Sequence, residues 1–598
     1  MGFRALILAV GLWCAAVALG VAPVAAGDVP VDTLEPEAAA PGPAEYLMSE
    51  VLVVADRPER FDAFGPGAVV AEGARVSRSL ALAEHAAVGD YGTSAFPSFR
   101  GLPAEHVAIE YDGVPLNSVQ NGTFDLALLD LLGGEATVAR GPFAWLGASG
   151  ASQAAIAVAP SAPSGVSLAA SAGGNGGAVA MGVGGAGWSA SLSALGEDLP
   201  RDGASLTGWS CRATAATVAG ELGVTYLDAR RGLPGAADAP WSAGVLDDEI
   251  VLARFRLREI GRARPTVYAT RHEQRYEDSF SSPTHVVSSA GAVLAADITP
   301  EGPVRSLVAA SYDVSRLDSH DPWNADIGRR SRGSGSVVAR AAAGRSVLRC
   351  AAQCGLAHTT DFGAAGSGAL GIAAVGRQAR AWASVGTAYR PPTMNELHWP
   401  ADPWTEGNPD LSPERVVTVE AGGRATAGSV GVGITAYRSS ASDLIVWSES
   451  GGVWRPENVG EAALSGVEFD ASARLGPLTL SYAADLASAR DEGSGLDLPY
   501  RPRAQHTLAA EAGVGRARLE ARLRRSGEVF TDAANTQTLA GHTVVDAAVE
   551  LALPIEGLSM SVEGWNLFDE RYETRRGYEL SGRVLRAALL ITQSQKPW

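Results

Sequence analysis

Lysine is almost absent from the sequence, which contains 598 residues and 48 basic side chains but only Lys596 of this type. Acidic residues number 66, and the formal net charge is −18. Nucleic-acid-binding surfaces are usually rich in both lysine and arginine and carry a net positive charge. This composition therefore excludes a basic nucleic-acid-binding domain of the usual kind, and we expect no nucleic-acid partner.

Cysteine is also scarce. The four cysteines, Cys14, Cys211, Cys350 and Cys354, are too few to form a disulfide scaffold for a chain of this size. On an extended strand, Cys350 and Cys354 would lie on one face but about 13 Å apart, too far to bridge without a turn. We therefore do not expect them to form a disulfide.

Long apolar runs are missing after the N-terminus, which excludes a bundle of transmembrane helices. Met1 to Arg4 is positive, Ala5 to Ala18 is apolar, and Val24-Ala25-Ala26 is a small-residue cleavage pattern. The alternative, a membrane-anchoring helix, would need about 20 apolar residues, more than this run provides. The pattern predicts a signal peptide over residues 1–26, and residues 27–48, rich in Ala, Pro and acids, read as a flexible linker.

Residues 49–163 have the mixed texture of a compact α+β domain. The pattern predicts a short strand at Glu50 to Ala55, a helix at Ser77 to Val88, strands at Val107 to Tyr111 and Ala136 to Ala139, and turns at Asp112-Gly113 and Asn121-Gly122.

From residue 164 to residue 598, apolar and polar residues alternate in segment after segment. In Gly515 to Arg525, for example, Leu519 and Leu523 alternate with arginines, and Val467 to Arg474 and Ala253 to Arg258 repeat the pattern. Two architectures fit an exported chain of this kind: a string of soluble β-sandwiches, or one closed barrel in the outer membrane.

The arginine-rich face favours the barrel, because a wet lumen accommodates charged side chains whereas a sandwich core does not. About 430 residues at about 20 per strand and connection give about 22 antiparallel strands, and a barrel of that size needs a filling. The predicted fold is an all-β transmembrane barrel with the N-terminal α+β domain inside its lumen as a plug.

A series of short motifs supports this fold in their order and spacing. They are Arg100-Gly101, Asp112 to Leu116, Glu135 to Pro142, Tyr389 to Leu397, Gly407 to Glu414, Asn458 to Gly460 with Gly466 to Glu468, and Asn566 to Glu573. Together they resemble the TonB-dependent outer-membrane receptors, over essentially all of Ser49 to Ile591. The C-terminal part is most similar to the cobalamin and catecholate-siderophore branch of that family.

The resemblance implies a receptor that binds a scarce metal chelate, a ferric siderophore or cobalamin, and imports it with energy transmitted by TonB and its inner-membrane complex. The implied TonB box comprises Ser49, Glu50, Val51, Leu52, Val53, Val54 and Ala55, although the same residues could form the first plug strand. The barrel-assembly machinery and outer-membrane lipid are the other implied partners, and we expect a monomer. The family's usual C-terminal aromatic is replaced by a strand that ends near Ile591, with Trp598 beyond it.

Two alternatives stay open. A passive channel or adhesin would need neither a plug nor a TonB box, and a haem receptor would belong to the same family. An enzyme is not expected, because the sequence has no nucleophile elbow, zinc-binding helix or phosphate-binding loop.

The resemblance also implies site residues. Ligand-binding residues at the plug apex would be Tyr91, Ser94, Phe96, Asn117, Gln120, Asn121 and Phe124, unless the aromatics instead pack the plug against the barrel. Plug–barrel contacts would be made by Arg100, Arg140, Glu420 and Glu468. No cofactor is expected, apart from two candidates for metal binding: Asp318, Asp321, Asn324 and Asp326 for calcium, and His398 for haem. A solvated acidic loop and an ordinary loop histidine are the alternatives.

Overall fold

The structure, a computed structural model, describes residues 69–71, 86–144, 154–160, 163, 165–237, 244–299, 304–345, 347–403, 405–450 and 453–593. The predicted signal peptide, linker and TonB box lie outside these residues, as does Trp598. No helix in the described ranges is long and apolar enough to cross a bilayer.

The N-terminal part is a small α+β unit. Its strands are β1 (Val69–Ala71), β2 (Ala86–Gly89), β3 (Ser94–Pro97), β4 (Val107–Tyr111), β5 (Val114–Pro115), β6 (Glu135–Arg140) and β7 (Ala154–Ala159). Five of them form the main sheet in the order β1-β6-β7-β4-β5, and β2 and β3 form a separate hairpin. Helix α1 spans Leu126–Leu132, and two 3₁₀ turns span Asp90–Gly92 and Ala104–His106. The strands predicted at residues 107–111 and 136–139 are confirmed as β4 and within β6.

The helix predicted over Ser77 to Val88 is wrong at its end, because Ala86–Gly89 is strand β2. Tyr91 and Gly92 adopt positive φ angles of 64° and 96°, which turn the chain back so that β3 pairs antiparallel with β2. The backbone groups of β2 are satisfied by this partner strand rather than by a helix. Residues 72–85 lie outside the described ranges.

Local sequence explains two elements that shape this unit. Asp112 and Gly113 both have positive φ angles, 55° and 77°, as a two-residue hairpin turn of the mirror-image type requires, and they connect β4 to β5. Asp125 caps α1 by accepting a hydrogen bond from the backbone N–H of Ala127, and Gly133 ends the helix with φ 65°.

The rest of the described chain forms a closed barrel of 22 antiparallel strands, as predicted, in which β33 pairs with β8 to complete the ring. Its strands are β8 (Gly165–Gly173), β9 (Gly176–Gly185), β10 (Trp188–Asp198), β11 (Ser205–Thr217), β12 (Gly220–Leu233), β13 (Gly244–Leu257), β14 (Ala263–Glu277), β15 (Thr284–Thr299), β16 (Val304–His320), β17 (Arg329–Arg345), β18 (Leu348–Thr359), β19 (Gly363–Val375), β20 (Ala379–Arg390), β21 (Glu414–Ala427), β22 (Val430–Ser450), β23 (Val453–Leu475), β24 (Leu478–Asp491), β25 (Ala504–Val514), β26 (Ala517–Ser526), β29 (His542–Ala552), β30 (Leu558–Trp565) and β33 (Val584–Gln593).

The connections between barrel strands differ at the two ends. One end has tight turns, such as residues 476–477 and 515–516, and we call it the short-turn end. The other, the long-loop end, carries helix α2 (Met394–His398) and the small hairpins β27 (Val529–Phe530) with β28 (Thr538–Leu539) and β31 (Glu573–Arg575) with β32 (Tyr578–Glu579). In outer-membrane barrels the longer loops face the exterior, so the long-loop end is assigned to that side.

Side chains alternate along the strands. In β26, Leu519 and Leu523 are exposed on one face, whereas Arg522 and Arg524 are half-buried on the other, where Arg524 donates to Asp546 at 2.8 Å. The alternation predicted for this segment is confirmed. Cys350 and Cys354 are both exposed on one face of β18. The three cysteines in the described ranges, Cys211, Cys350 and Cys354, are free thiols.

Candidate functional site: the plug and its seat in the barrel

One side of the plug shares a hydrophobic core with the barrel. Buried residues of α1 and of the plug sheet pack against inward-facing side chains that we call the apolar wall: Leu195, Leu206, Leu227, Ile250 and Leu252 of β10–β13, and Tyr268 of β14. Ser210 of β11 also donates a 2.5 Å hydrogen bond to the backbone carbonyl of Leu131 at the end of α1. Water is excluded from this contact, so the plug and the wall form one continuous core.

The plug also presents carboxylates on this side. Asp112, in the β4–β5 turn, contacts Arg212 at 2.8 Å, Arg254 at 2.7 Å and Arg256 at 3.3 Å. Burial raises the pKa of the Asp112 carboxyl, but hydrogen bonds and positive charge from Arg254 and Arg212 more than offset this, and the net pKa lies below its usual range. Asp112 is therefore ionised in a site prepared for a negative charge.

Asp125 forms a second acidic contact nearer the long-loop end. One carboxylate oxygen accepts from the backbone N–H groups of Ala95 at 2.9 Å and Ala127 at 3.0 Å, and the other pairs with Arg231 of β12. Arg231 in turn pairs with Asp248 of β13, which accepts a 2.8 Å contact from His272. Asp125 thus joins the plug hairpin, the start of α1 and the barrel in one buried network.

The opposite side of the plug presents arginines to barrel carboxylates. Arg100 donates to Glu468 at 2.9 and 3.0 Å and to Glu420 at 2.8 Å, and its guanidinium lies 4.5 Å from the ring centroid of Tyr437. Arg140 lies 3.3 Å from Glu468. The structure therefore brings together all four residues named as plug–barrel contacts.

The glycine that follows Arg140 is required by this contact. Gly141 has φ 87°, and a Cβ placed on it would lie 2.7 Å from a carboxylate oxygen of Glu420. That oxygen cannot withdraw without losing its bond to Arg100, so any side chain at residue 141 would displace the ion pairs.

Helix α2 extends from the barrel onto the plug apex. The backbone N–H of Met394 donates to the carbonyl of Val119, and that of Asn395 donates to the carbonyl of Gln120, both at 2.9 Å. Thr393 and Glu396 form a reciprocal capping box that fixes the start of α2. The apex loop is therefore covered, on this side, by a segment of the long-loop end.

A buried charge cluster lies beneath α2. Arg390 donates to Glu414 at 2.6 Å and to Glu396 at 3.0 Å, and Nε2 of the plug residue His106 lies 2.5 Å from Glu414. The sequence motifs that contain Arg390, Glu396 and Glu414 support the family resemblance but do not predict this cluster. The Thr-x-x-Glu spacing of residues 393–396 is the local signal that would have identified α2.

The predicted aromatic residues of the apex, Tyr91 and Phe124, contact the barrel in different places. Tyr91 is buried, donates to the carbonyls of Gly235 at 2.9 Å and Gly577 at 3.0 Å, and lies 5.1 Å from the ring of Tyr578, so it joins the plug to two long-loop connections. Phe124 is buried in the shared core, with its ring 6.4 Å from that of His272. Both aromatics pack the plug against the barrel.

The polar apex residues differ in their accessibility. Asn117 is committed to the plug itself, since it donates to the carbonyls of Val107 and Gly122 and accepts from the N–H of Ile109. Phe96 and Asn121 are half-buried. Ser94 and Gln120 are buried, and the Ser94 hydroxyl has no hydrogen-bond partner in the described part of the chain.

The candidate metal ligands do not converge. Asp318 pairs with Arg316 at 2.8 Å and Arg329 at 2.6 Å, whereas Asp326 pairs with His320. Asp321 accepts from the backbone N–H of Trp323 at 2.8 Å, and the Asn324 side chain donates to Asp321 at 3.2 Å and to the carbonyl of Phe280 at 3.0 Å. Within the described ranges, no group of three or more His, Cys, Asp or Glu side chains is arranged to hold a metal ion.

His398, the other metal candidate, ends α2 at the long-loop end and is half-buried. Burial lowers the pKa of its imidazole, and the nearby positive charges of Arg330 and Arg332 lower it further. The ring is therefore neutral at neutral pH.

Comparison with known proteins places the chain in a family. The family model described as TonB dependent receptor-like, beta-barrel matches residues 187–567. The "Vitamin B12 transporter BtuB" of Photobacterium profundum is 31% identical over 206 residues, which cover 34% of this chain and 33% of that protein. The chain thus matches about a third of the length of this curated relative.

Solved structures share the fold at low sequence identity. A mutant of the ferric enterobactin receptor PfeA from Pseudomonas aeruginosa is 16% identical, with a TM-score of 0.71 over 88% of this chain and 98% of that one. The "Copper transporter OprC" is 14% identical, with a TM-score of 0.74 over 88% and 98%. Receptors and transporters, not enzymes, make up this group, and the protein is a member of the TonB-dependent receptor family of the Gram-negative outer membrane.

Proposed function

We propose that this protein binds a scarce metal chelate outside the cell and imports it into the periplasm with energy from TonB. The observation that carries the proposal is the plug, held in the lumen by a shared core on one side and by buried ion pairs on the other. A solute can cross such a barrel only if the plug moves. This blocked lumen also argues against a passive channel.

The energy for that movement must come from elsewhere, because the outer membrane holds no nucleotide and little ion gradient. A β-prone segment ahead of the plug, Ser49 to Ala55, could pair with a sheet edge of TonB by strand addition, which gives affinity through backbone hydrogen bonds and resists pulling. TonB and its inner-membrane complex are therefore the proposed energy source.

The proposed ligand is cobalamin or a ferric siderophore. The names of two similar proteins support this range, since one is a vitamin B12 transporter and one a ferric enterobactin receptor; a third, a copper transporter, adds copper to the ligands to be tested. Growth of a strain lacking this protein, with and without the gene restored, on cobalamin, ferric siderophores, haem or copper as limiting source would identify the ligand. Equal growth of both strains on all of them would contradict the proposal.

The TonB step has its own test. Replacing Leu52 by Pro removes a backbone donor and fixes φ, so strand addition should fail while surface binding of the ligand is retained. Leu52→Ala is the matched control, because it shortens the side chain but keeps the backbone donor. We expect ligand uptake to be lost in the first variant and kept in the second; normal uptake by Leu52→Pro would sink the TonB-box assignment.

A further inference from the structure

Two diametrically opposite walls of the barrel hold the plug: both carry buried ion pairs to it, but only one shares the large hydrophobic core of the plug. In the ring of 22 strands, β12 and β23 are eleven positions apart. The apolar wall is centred on β12. The side facing it, which we call the polar wall, consists of inward-facing, buried residues of β20–β23: Ser384, Thr418, Glu420, Tyr437, Ser439 and Glu468.

The polar wall has a hydrophilic middle section, which contains the carboxylates that meet Arg100. Ser384 donates to Glu420 at 3.1 Å, and Thr418 and Ser439 share a 2.7 Å hydrogen bond. Apolar contact with the plug on this side comes from smaller, separate clusters around Phe143, Leu102 and Val119, each with fewer buried residues than the core shared with the apolar wall. Helix α1 of the plug packs directly on β10–β12 of the apolar wall, whereas on the polar side the short 3₁₀ turn Ala104–His106 meets the barrel through His106, 2.5 Å from Glu414.

The two kinds of contact respond differently when the plug moves. Separating the shared core exposes apolar surface to water, and nothing in the separated state compensates for that exposure. Separated ion pairs, by contrast, regain the hydration that they lost on burial, so much of the Coulombic attraction is offset. The polar wall should therefore release the plug before the apolar wall does.

The long-loop end completes the polar side. Helix α2 lies in the connection between β20 and β21, two strands of the polar wall, and its two backbone bonds to Val119 and Gln120 cap the plug there. The polar contacts thus run from the long-loop end, through the Arg390 cluster, to the ion pairs of Arg100 and Arg140.

We propose that the plug is hinged on the apolar wall and that the ligand passage opens along the polar wall, between β20–β23 and the plug. Such a passage is lined by carboxylates, hydroxyls and guanidinium groups, and it suits a hydrophilic, charged ligand rather than an apolar one. The passage rests on the proposed import function; the order in which the walls release the plug does not.

Two buried serines provide a matched test of the order of release. Ser384 on the polar wall and Ser210 on the apolar wall are each 5% exposed, and both hydrogen-bond through their hydroxyls. Each is replaced by Cys in a chain whose three barrel cysteines, Cys211, Cys350 and Cys354, have been replaced by Ala. Ser439→Cys, 2% exposed in the native chain, gives a second polar-wall position.

The purified full-length variants are treated in detergent with a hydrophilic thiol reagent at increasing urea concentration. At urea concentrations that leave the barrel folded, we expect Ser384→Cys and Ser439→Cys to react at least about tenfold faster than Ser210→Cys, because local opening controls access to a buried group. Equal rates, or faster labelling of Ser210→Cys, would overturn the hinge.

The passage is tested in cells that supply TonB and the imported ligand. During uptake, labelling of Ser384→Cys should rise and that of Ser210→Cys should not. If uptake occurs and only Ser210→Cys responds, or if neither position does, the passage is wrong. If the parent chain takes up no ligand, it is the proposed function that fails, and the urea experiment still decides the hinge.

Discussion

The two sides of the plug carry opposite charges at their contacts with the barrel. Towards β11–β13 the plug presents Asp112 and Asp125 to barrel arginines, whereas towards β21 and β23 it presents Arg100 and Arg140 to barrel glutamates. Turning the plug by half a revolution would place like charges against each other on both sides. The ion pairs therefore specify one orientation, which is the best-attested use of buried charge.

The apolar contacts are also unequally distributed around the plug. They occur mainly on the acidic side of the plug, where α1 joins the core of the apolar wall. Orientation is thus specified on both sides, but most of the water-excluding contact lies on one. Substitutions on the two sides should consequently have different signatures: loss of plug seating on the basic side, and loss of overall stability on the apolar side.

The largest effect is expected from Arg100→Glu. Three buried carboxylates would then face one another, and we expect destabilisation of the seated plug by about 3–5 kcal/mol or more. Cells carrying this variant should become sensitive to large antibiotics that an intact outer membrane excludes. Arg571→Glu, at an exposed loop position, is the control for a charge change alone. An unchanged antibiotic barrier in Arg100→Glu would show that the ion pairs of Arg100 do not hold the plug in place.

A reversal at Arg140 tests the same side. Arg140→Glu should also raise antibiotic leak, since it places a carboxylate near Glu468. Combining it with Glu468→Arg should restore part of the barrier if the pair acts through its charges. No recovery in the double variant would show that geometry, not charge, dominates at this position.

The apolar wall is tested by Leu227→Ala, which truncates a fully buried side chain of β12. The cavity should cost about 2–5 kcal/mol of unfolding free energy. We expect a lower denaturation midpoint with little antibiotic leak, the reverse of the Arg100→Glu signature. Leu222→Ala, on the exposed face of the same strand, is the matched control. Antibiotic leak in Leu227→Ala without a lower denaturation midpoint would contradict the proposed difference between the walls.

The smallest effect concerns pH. The pKa of Asp112 is lower in the folded protein than its ordinary value of 3.8, so its stabilisation is fully present above that value and is lost as the pH falls below it, through the folded pKa. Asp112→Asn should flatten this part of the stability–pH curve. If the stability–pH curve of Asp112→Asn coincided with that of the parent chain at acid pH, the ion pairs of Asp112 would not contribute to holding the plug in the barrel.

Much of the barrel could be predicted because its signal is local. Alternating residues in β26 are enough to define its two faces, and the length of the chain defines the number of strands. The contacts of the plug are not local in this sense. Asp112 meets Arg212 one hundred residues away, and nothing in the Asp-Gly turn, which reads simply as a tight turn, indicates that partner. Arg100 and Glu468 could be named only through the family resemblance.

The secondary structure of the region before β3 could not be decided from its local sequence. The apolar run at residues 86–88 fits a helix as well as a strand, and the choice depends on β3 returning to pair with it. Similarly, Tyr91 looks like a ligand-stacking residue until the carbonyls of Gly235 and Gly577 are seen to accept its hydroxyl. In both places tertiary partners decide the outcome.

The docking of α2 on the plug has a consequence for assembly. The backbone N–H groups of Met394 and Asn395, in the first turn of this helix, donate to carbonyls of the plug, and Glu414 beneath the helix contacts the plug residue His106. The connection between β20 and β21 therefore cannot reach its final form in an empty cylinder. Insertion of the plug must precede the ordering of this surface segment, so a correctly ordered segment reports that the plug is in place.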